Sequence, residues 1–419
     1  MGGAVIFQYT RLANGLEIIG EYMPHSRSVA VGFFVKTGAR DERPEEAGVS
    51  HFLEHMVFKG TKRRTALDVN RDFDAIGAIY NACTGEETTL FWATVLPEYL
   101  FSALDILTDI LQPSLRQEDF DTEKQVILEE IRMYEDQPMW LAYDEAVALF
   151  FRDHPLGHRI LGTVESITAL TREQMRDYYQ RRYVAGNIVV ALAGRFDWEA
   201  TVNWLHDHCG PWPKGATPRQ LVPLEPRPAT KVVPRSQVNQ EHVFLLSPAP
   251  PGESKDRYAA EVLATIVGDD IGSRLYWALI DTGRADSADM SYHEYQGAGA
   301  FFTYLCSEPD DAAENVAIAL ETFRQVAQEG VTDEEVAQAQ SKLASRWVRG
   351  NERPQGRMQS LGYSWVYLHE YRSVDEELAR LRAVTPQQIR AFLEQYNLLE
   401  PTIVALGPLT ELTSPALAG

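Results

Sequence analysis

The sequence predicts an α+β fold built twice: two homologous domains from an internal duplication, each a mainly antiparallel sheet covered by helices. Three observations predict it. At 419 residues the chain exceeds what one hydrophobic core organises, so at least two domains are expected. The second half then repeats the first. "SITALTREQMRDYYQRRYVAGNIVVALAGRF" near 166–196 matches "LRAVTPQQIRAFLEQYNLLEPTIVALGPL" near 381–409, pairing Thr171 with Thr385 and Val190 with Val404 at an offset of 214. "EDFDTEKQVILEEIRMYEDQP" matches "DEEVAQAQSKLASRWVRGNERP", pairing Pro138 with Pro354 at an offset of 216. Two matches in one order at nearly one offset argue for duplication over chance likeness of amphipathic helices. Finally, "PWPKGATPRQLVPLEPRPATKVVPR" at 211–235 is stiffened by prolines and reads as a linker. The expected boundaries are therefore 1–210, a linker at 211–234, and 235–419.

Elements of the first half follow in order. "QYTRLANGLEIIGEY" is two strand-like runs around Asn14-Gly15, a strong hairpin signal. "SVAVGFFVKTG" reads as a strand, and residues 45–59 as a helix stopped by Gly60. "TTLFWATVL" is another strand, followed by helical patterns at 97–111, 119–136 and 140–151. A helix at 172–182 leads into the strand "NIVVALAG".

Composition excludes several classes. No apolar run approaches the ~20 residues of a membrane span. The start, "MGGAVIFQYTRLANG", has no basic region before an apolar core, and position 6 is Ile6, so neither a secretory signal nor N-myristoylation is expected. Cys83, Cys209 and Cys306 are far apart and form no CxxC pair, so a reducing cytoplasm is expected. A net charge of −21 argues against a nucleic-acid surface, which needs basic patches; the acidity reads as support for solubility.

The chemistry concentrates in "GVSHFLEHMVFKG", residues 48–60. On a helix, His51 and His55 are four apart and project from one face, so two imidazoles can hold one Zn²⁺. Glu54 can reach a metal-bound water without being a ligand, the arrangement of the inverted H-x-x-E-H motif. A catalytic zinc needs a third protein ligand and one open position. "TEKQVILEEIRMYED" supplies candidates. Val126, Ile127 and Met133 mark an expected buried stripe, with Glu123 and Glu130, two turns apart, on the same face. Glu129 lies about 100° away. A carboxylate on a buried face needs a charge partner or a metal, which favours Glu130 over Glu129 as third ligand. Glu123 is then the group that orients a ligand or the water.

With these residues in place the chain resembles the pitrilysin-like metallopeptidases, over nearly its whole length. The matching stretches are "HFLEH" at 51–55, Glu130 of "VILEE" with Glu123 seven residues before it, "NACTGEETTLFWATVL" at 81–96, "HPLGHRILGTVESI" at 154–167, and "GSRL" in the second half. The two-domain size is similar to the small bacterial and mitochondrial-processing-peptidase-like subfamily. The resemblance implies one Zn²⁺ per chain on His51, His55 and Glu130, with Glu54 as general base. It also implies that substrate adds as a strand to an exposed sheet edge, expected at 88–95, with Asn81 and Ala82 contacting its backbone.

The second half departs from the motif. Its equivalent segment, "RYAAEVLATIVGDD", has no histidine, as the resemblance leads one to expect. Active members are also expected to carry an Arg and a Tyr after "SRL" that stabilise the oxyanion. Here Ile280 and Ser287 stand at those positions, with Arg284 and Tyr292 nearby but out of register. Three readings follow. The chain is the zinc subunit of a heterodimer, cleaving unfolded peptides in a two-chain chamber where a homologous non-zinc partner brings Arg and Tyr. Alternatively it is a homodimeric peptidase with other donors, or a non-catalytic peptide-binding subunit. The intact His51, Glu54, His55 and Glu130 speak against the last.

Overall fold

A computed structural model describes residues 6–413. The expectation about an N-terminal signal or acyl group rests partly on residues 1–5, which lie outside the described residues.

The first half runs β1 (Ile6–Arg11), β2 (Glu17–Tyr22), β3 (Val29–Val35), α1 (Val49–Val57), α2 (Ala66–Ala75), β4 (Ile79–Thr84) and β5 (Thr89–Val95). It continues with α3 (Leu100–Ile110), α4 (Gln117–Glu135), α5 (Pro138–Phe151), α6 (Val164–Ala169), α7 (Arg172–Arg182), β6 (Ile188–Gly194) and α8 (Trp198–Cys209). The second half runs β7 (Thr230–Pro234), β8 (Glu241–Pro248), α9 (Arg257–Gly268), β9 (Ser287–Tyr295), β10 (Ala298–Ser307) and α10 (Pro309–Glu329). After it come α11 (Asp333–Asn351), α12 (Pro354–Leu368), α13 (Val374–Arg382), α14 (Pro386–Leu393) and β11 (Thr402–Gly407).

The repeat holds strand for strand. One sheet has the order β1-β2-β6-β3-β5-β4, the other β7-β11-β8-β10-β9. Without β1 the two orders are the same. In both, the first strand of the repeat pairs parallel with the last, β2 with β6 and β7 with β11, and the other pairs are antiparallel. The fold is α+β and duplicated. Of the matched residues, Val190 and Val404 lie in the equivalent strands β6 and β11, and the others are helix-start signals. Thr171 and Thr385 are the N-caps of α7 and α14, each accepting the backbone N–H three residues on. Pro138 and Pro354 both take the first turn of their helices, α5 and α12, where a missing N–H costs nothing.

The described chain forms two compact units, and they are not contiguous halves. One comprises the chain through Arg132, His158–Gln220 and Val348–Arg372; the other comprises Met133–Gly157, Leu221–Trp347 and the chain from Ser373. Two equivalent helices account for the difference from the expected boundaries. Ala142, Ala146 and Phe150 of α5 pack on Phe244, Phe302, Val404 and Leu406 of the second sheet. Met358, Leu361 and Trp365 of α12 pack on Ala30, Phe34, Leu90, Trp92 and Ala191 of the first. Each sheet is apolar on both faces, and each face needs a cover. The expected linker is also anchored. Arg219 pairs with Asp41 at 2.6 Å and Glu87 at 3.2 Å, and Thr230–Pro234 is the strand β7.

α12 is held on the first sheet by close approach and by charge. A Cβ at Gly362 would lie 2.2 Å from the Phe34 ring, so only glycine allows this separation. Arg357 and Glu21 are both buried and paired, with Arg357 Nε donating to Glu21 Oε1 at 2.8 Å and Tyr371 donating to Oε2 at 3.0 Å. Removing one partner strands the other charge in the core. Arg357→Ala is therefore expected to lower unfolding stability by about 3–5 kcal/mol, read from the denaturant midpoint at constant slope.

Candidate metal centre

α1 carries the His-Glu-His motif, and its entry is fixed. Gly48, at φ 89°, precedes it in the left-handed region, where a Cβ would press on Ile167 Cδ1 and Leu161 O, both at 2.7 Å. The buried Glu42 carboxylate accepts the N–H groups of Gly48 and Ser50, each at 2.7 Å, and stands in for a side-chain N-cap. Val49, Phe52, Leu53, Met56 and Val57 are buried. That apolar stripe locks the helix rotation and leaves His51, Glu54 and His55 together on another face.

α4 faces α1. Phe120 stacks on Phe52 with ring centroids 4.7 Å apart. The buried stripe of α4 is Phe120, Glu123, Ile127, Leu128 and Ile131. This corrects the expected stripe: Val126 is 45% exposed and Met133 53%. The true face follows the i, i+3, i+4 spacing from Phe120, and of the three residues chosen from sequence only Ile127 falls on it. Glu123 does fall on it, with Glu130 at its margin. Glu129 is solvent-exposed and pairs with Arg132 at 2.5 Å.

His51, His55 and Glu130 converge, with one ligand atom from each lying within 4.8 Å of the others. His51 Nε2 is 3.8 Å and His55 Nε2 3.7 Å from Glu130 Oε2. Donors bound tetrahedrally at zinc distances sit about 3.3 Å apart, so these spacings are wider by a few tenths of an ångström. Two imidazole nitrogens and one carboxylate oxygen are a catalytic-zinc donor set. The outer contacts agree. His55 Nδ1 is 2.8 Å from Glu123 Oε1, which directs Nε2 toward Glu130, and Lys59 Nζ is 2.6 Å from Glu123 Oε2. His51 Nδ1 is buried with no hydrogen-bond partner among the described residues. The residues present fit a zinc ion.

Electrostatics favour a cation. Burial, reinforced by the neighbouring His55, pushes the His51 imidazolium down to about 4, so its ring is neutral and able to ligate. Burial raises Glu54 above the usual carboxylate range, and the Thr84 hydrogen bond opposes it. Burial likewise raises Glu130, against the pull of His55. At His55 burial acts downward, but the Glu123 hydrogen bond and the surrounding carboxylates outweigh it and raise the ring. At Glu123 burial acts upward and is outweighed by the hydrogen bonds from His55 and Lys59.

The first sheet has two edge strands, β1 and β4, and β4 is the one that reaches α1, through Thr84 and Glu54. This corrects the expectation at 88–95: β5 is paired with β3 on one side and β4 on the other. Asn81 and Ala82 lie within the edge strand, and Asn81 Oδ1 accepts the Ala82 N–H at 2.9 Å. Two residues escaped the sequence reading. Lys59 is one turn beyond His55, a spacing that could have flagged it. Thr84, which donates to Glu54 Oε2 at 2.6 Å, has no local signal. β4 was missed because its exposed face carries Asn81 and Cys83 rather than an apolar alternation.

In the second unit, Ile280 packs against the apolar core and Ser287 opens β9. Arg284 is engaged by Glu314 at 2.6 Å and by Asn315, and Tyr292 donates to Pro250 O at 2.7 Å. Both polar heads already have a partner here. α9, the counterpart of α1, carries no histidine.

Two family profiles match successive parts of the chain. The profile of the insulinase family, peptidase family M16, matches residues 17–164, and that of the peptidase M16 inactive domain matches 169–343. A Streptomyces coelicolor protein named an uncharacterized zinc protease is 34% identical over 412 residues, covering 96% of this chain and 90% of that one. A Bacillus subtilis protein named likewise is 28% identical, covering 98% and 100%. Among solved structures, a peptidase M16 inactive domain from Pseudomonas fluorescens superposes with a TM-score of 0.91 at 18% identity, covering 97% and 99%. A protease from Helicobacter pylori gives 0.89 at 19%, covering 97% and 100%; at these identities both attest the fold.

The two adjacent glutamates of α4 separate cleanly by experiment. Glu130→Gln is expected to lose bound zinc, whereas the exposed Glu129→Gln keeps it, by elemental analysis of the purified proteins. The reverse result would move the third ligand to Glu129.

Proposed function

The chain belongs to peptidase family M16, and from that premise we propose that it is a zinc-dependent endopeptidase acting on unfolded peptides, the zinc subunit of a heterodimer. The observation that carries this is the convergence of His51, His55 and Glu130 on one point with Glu54 beside them. One zinc per chain would be held there, supplying Lewis-acid polarisation of the scissile carbonyl and a more acidic water.

This chain's residues do the rest. Glu54 accepts a proton from the attacking water and delivers it to the leaving amine. Its burial strengthens it as a base relative to an exposed carboxylate. Glu123, held by Lys59, keeps His55 in one tautomer and orientation. Substrate pairs with β4, where Asn81 and Ala82 offer backbone groups; the Asn81 side chain yields the Ala82 N–H to the incoming strand. No helix among the described residues is long and apolar enough to cross a membrane. We propose a cytoplasmic location, which the three free cysteines, Cys83, Cys209 and Cys306, support.

Glu54→Gln removes the base and leaves the ligands. It is expected to keep zinc content and melting temperature while abolishing peptide hydrolysis. Activity within about threefold of wild type would remove Glu54 from this role.

The partner is required by charge. The tetrahedral intermediate places negative charge on the former carbonyl oxygen, and each missing oxyanion donor costs about 10²–10³ in turnover. Ile280 has no donor, the Ser287 side chain is short, and Arg284 and Tyr292 are bound elsewhere. A two-domain homologue with its own Arg and Tyr would restore activity. Turnover of an unstructured peptide is expected to be low for the chain alone and to rise about 10²-fold or more when such a partner is titrated in. Vigorous cleavage by the chain alone, with no gain from a partner, would favour the homodimer with other donors.

A further inference from the structure

Thr84 ends the edge strand β4, and its hydroxyl donates to Glu54 Oε2 at 2.6 Å. Side chains alternate along a strand, so Thr84 lies on the same sheet face as Ala82, which belongs to the core beneath α1. The strand end is itself restrained. Thr84 is in register with the buried Thr89, whose hydroxyl donates to Thr37 O at 3.0 Å. Gly85 N–H then closes the tight turn onto Thr88 O at 2.9 Å. A β-branched side chain is stiff about χ1, so the donor sits at a fixed place.

We propose that Thr84 is a positioning residue for Glu54: its hydroxyl anchors one carboxylate oxygen, sets the plane in which the other is presented, and fastens the base to the strand along which substrate lies. The inference rests on the peptidase reading above. A glutamate has three rotatable bonds, and a base works only within hydrogen-bond reach of the proton it removes. Misplacement by about 1 Å can cost about 100-fold. Anchoring Glu54 to β4 makes the base and the substrate-pairing backbone a single rigid body. A substrate strand seated in register on β4 is then also in register with the base.

The test compares Thr84→Val, which keeps shape and loses the hydroxyl, with Thr84→Ser, which keeps the hydroxyl. Both are made in the full chain, assayed with partner where the wild type needs one, on an unstructured fluorogenic peptide. Zinc content and melting temperature are measured alongside. For Thr84→Val the expected result is full zinc, an unchanged melting temperature, KM within about threefold, and kcat lower by about 10–100-fold. Thr84→Ser is expected to return kcat to within about threefold of wild type. Wild-type kcat in Thr84→Val, zinc loss in that variant, or a serine variant as slow as the valine one would overturn the proposal while leaving the peptidase reading standing. A wild-type chain that holds zinc and cleaves nothing with any partner overturns the peptidase reading and this inference together.

Discussion

The hydrogen bond between His55 Nδ1 and Glu123 Oε1, 2.8 Å long, joins α1 to α4, and the rest of the site depends on it. α1 is only nine residues long and would be marginal as an isolated helix. It is held at its start by the Glu42 carboxylate, along its length by the Phe52–Phe120 stack, and near its end by this bond and Lys59. Glu123 is 3% exposed, so its charge must be paired to be tolerated. The pairing it needs is the one that turns His55 Nε2 toward Glu130. Burial cost and ligand orientation are satisfied by the same contact.

The centre gathers more negative charge than its own cations balance. Glu54, Glu123 and Glu130 stand around His51 and His55, with Lys59 as the ammonium in contact with Glu123. Burial raises Glu54 and Glu130, and repulsion adds to it, from Glu130 at Glu54 and from Glu123 at Glu130. A divalent cation among these donors would supply the missing counter-charge. The proposed base differs from the proposed ligand in its neighbours: Glu130 meets the imidazoles, whereas Glu54 meets the Thr84 hydroxyl.

One copy of the duplicated scaffold carries the His-Glu-His motif and the other does not. Both sheets have the same strand order and the same parallel first-to-last pairing, so the scaffold is preserved in each. α9 replaces the polar motif of α1 with residues such as Ala259, Ala260, Val262 and Leu263, all buried. At this place the second unit has a buried apolar helix instead of a polar site. The matched Thr171 and Thr385, and Pro138 and Pro354, persist because helix starts demand those residue types whatever the function.

The sequence by itself determined what is local. The 3.6-residue spacing put His51 and His55 on one side of a helix and Glu123 and Glu130 two turns apart on another, and the strand patterns at β1, β2, β3, β5 and β6 were legible from apolar runs and the Asn14-Gly15 turn. Only the tertiary structure decided what depends on contacts between distant segments. It put β4 rather than β5 at the sheet edge, because an edge is defined by the absence of a neighbour, which no local pattern encodes. It exposed Val126 and Met133, because the buried side of α4 is set by where α1 lies. It exchanged α5 and α12 between the compact units, because an amphipathic helix covers whichever apolar face is open to it. And it brought the Thr84 hydroxyl to Glu54, thirty residues away in the chain, through strand pairing that sequence spacing does not reveal.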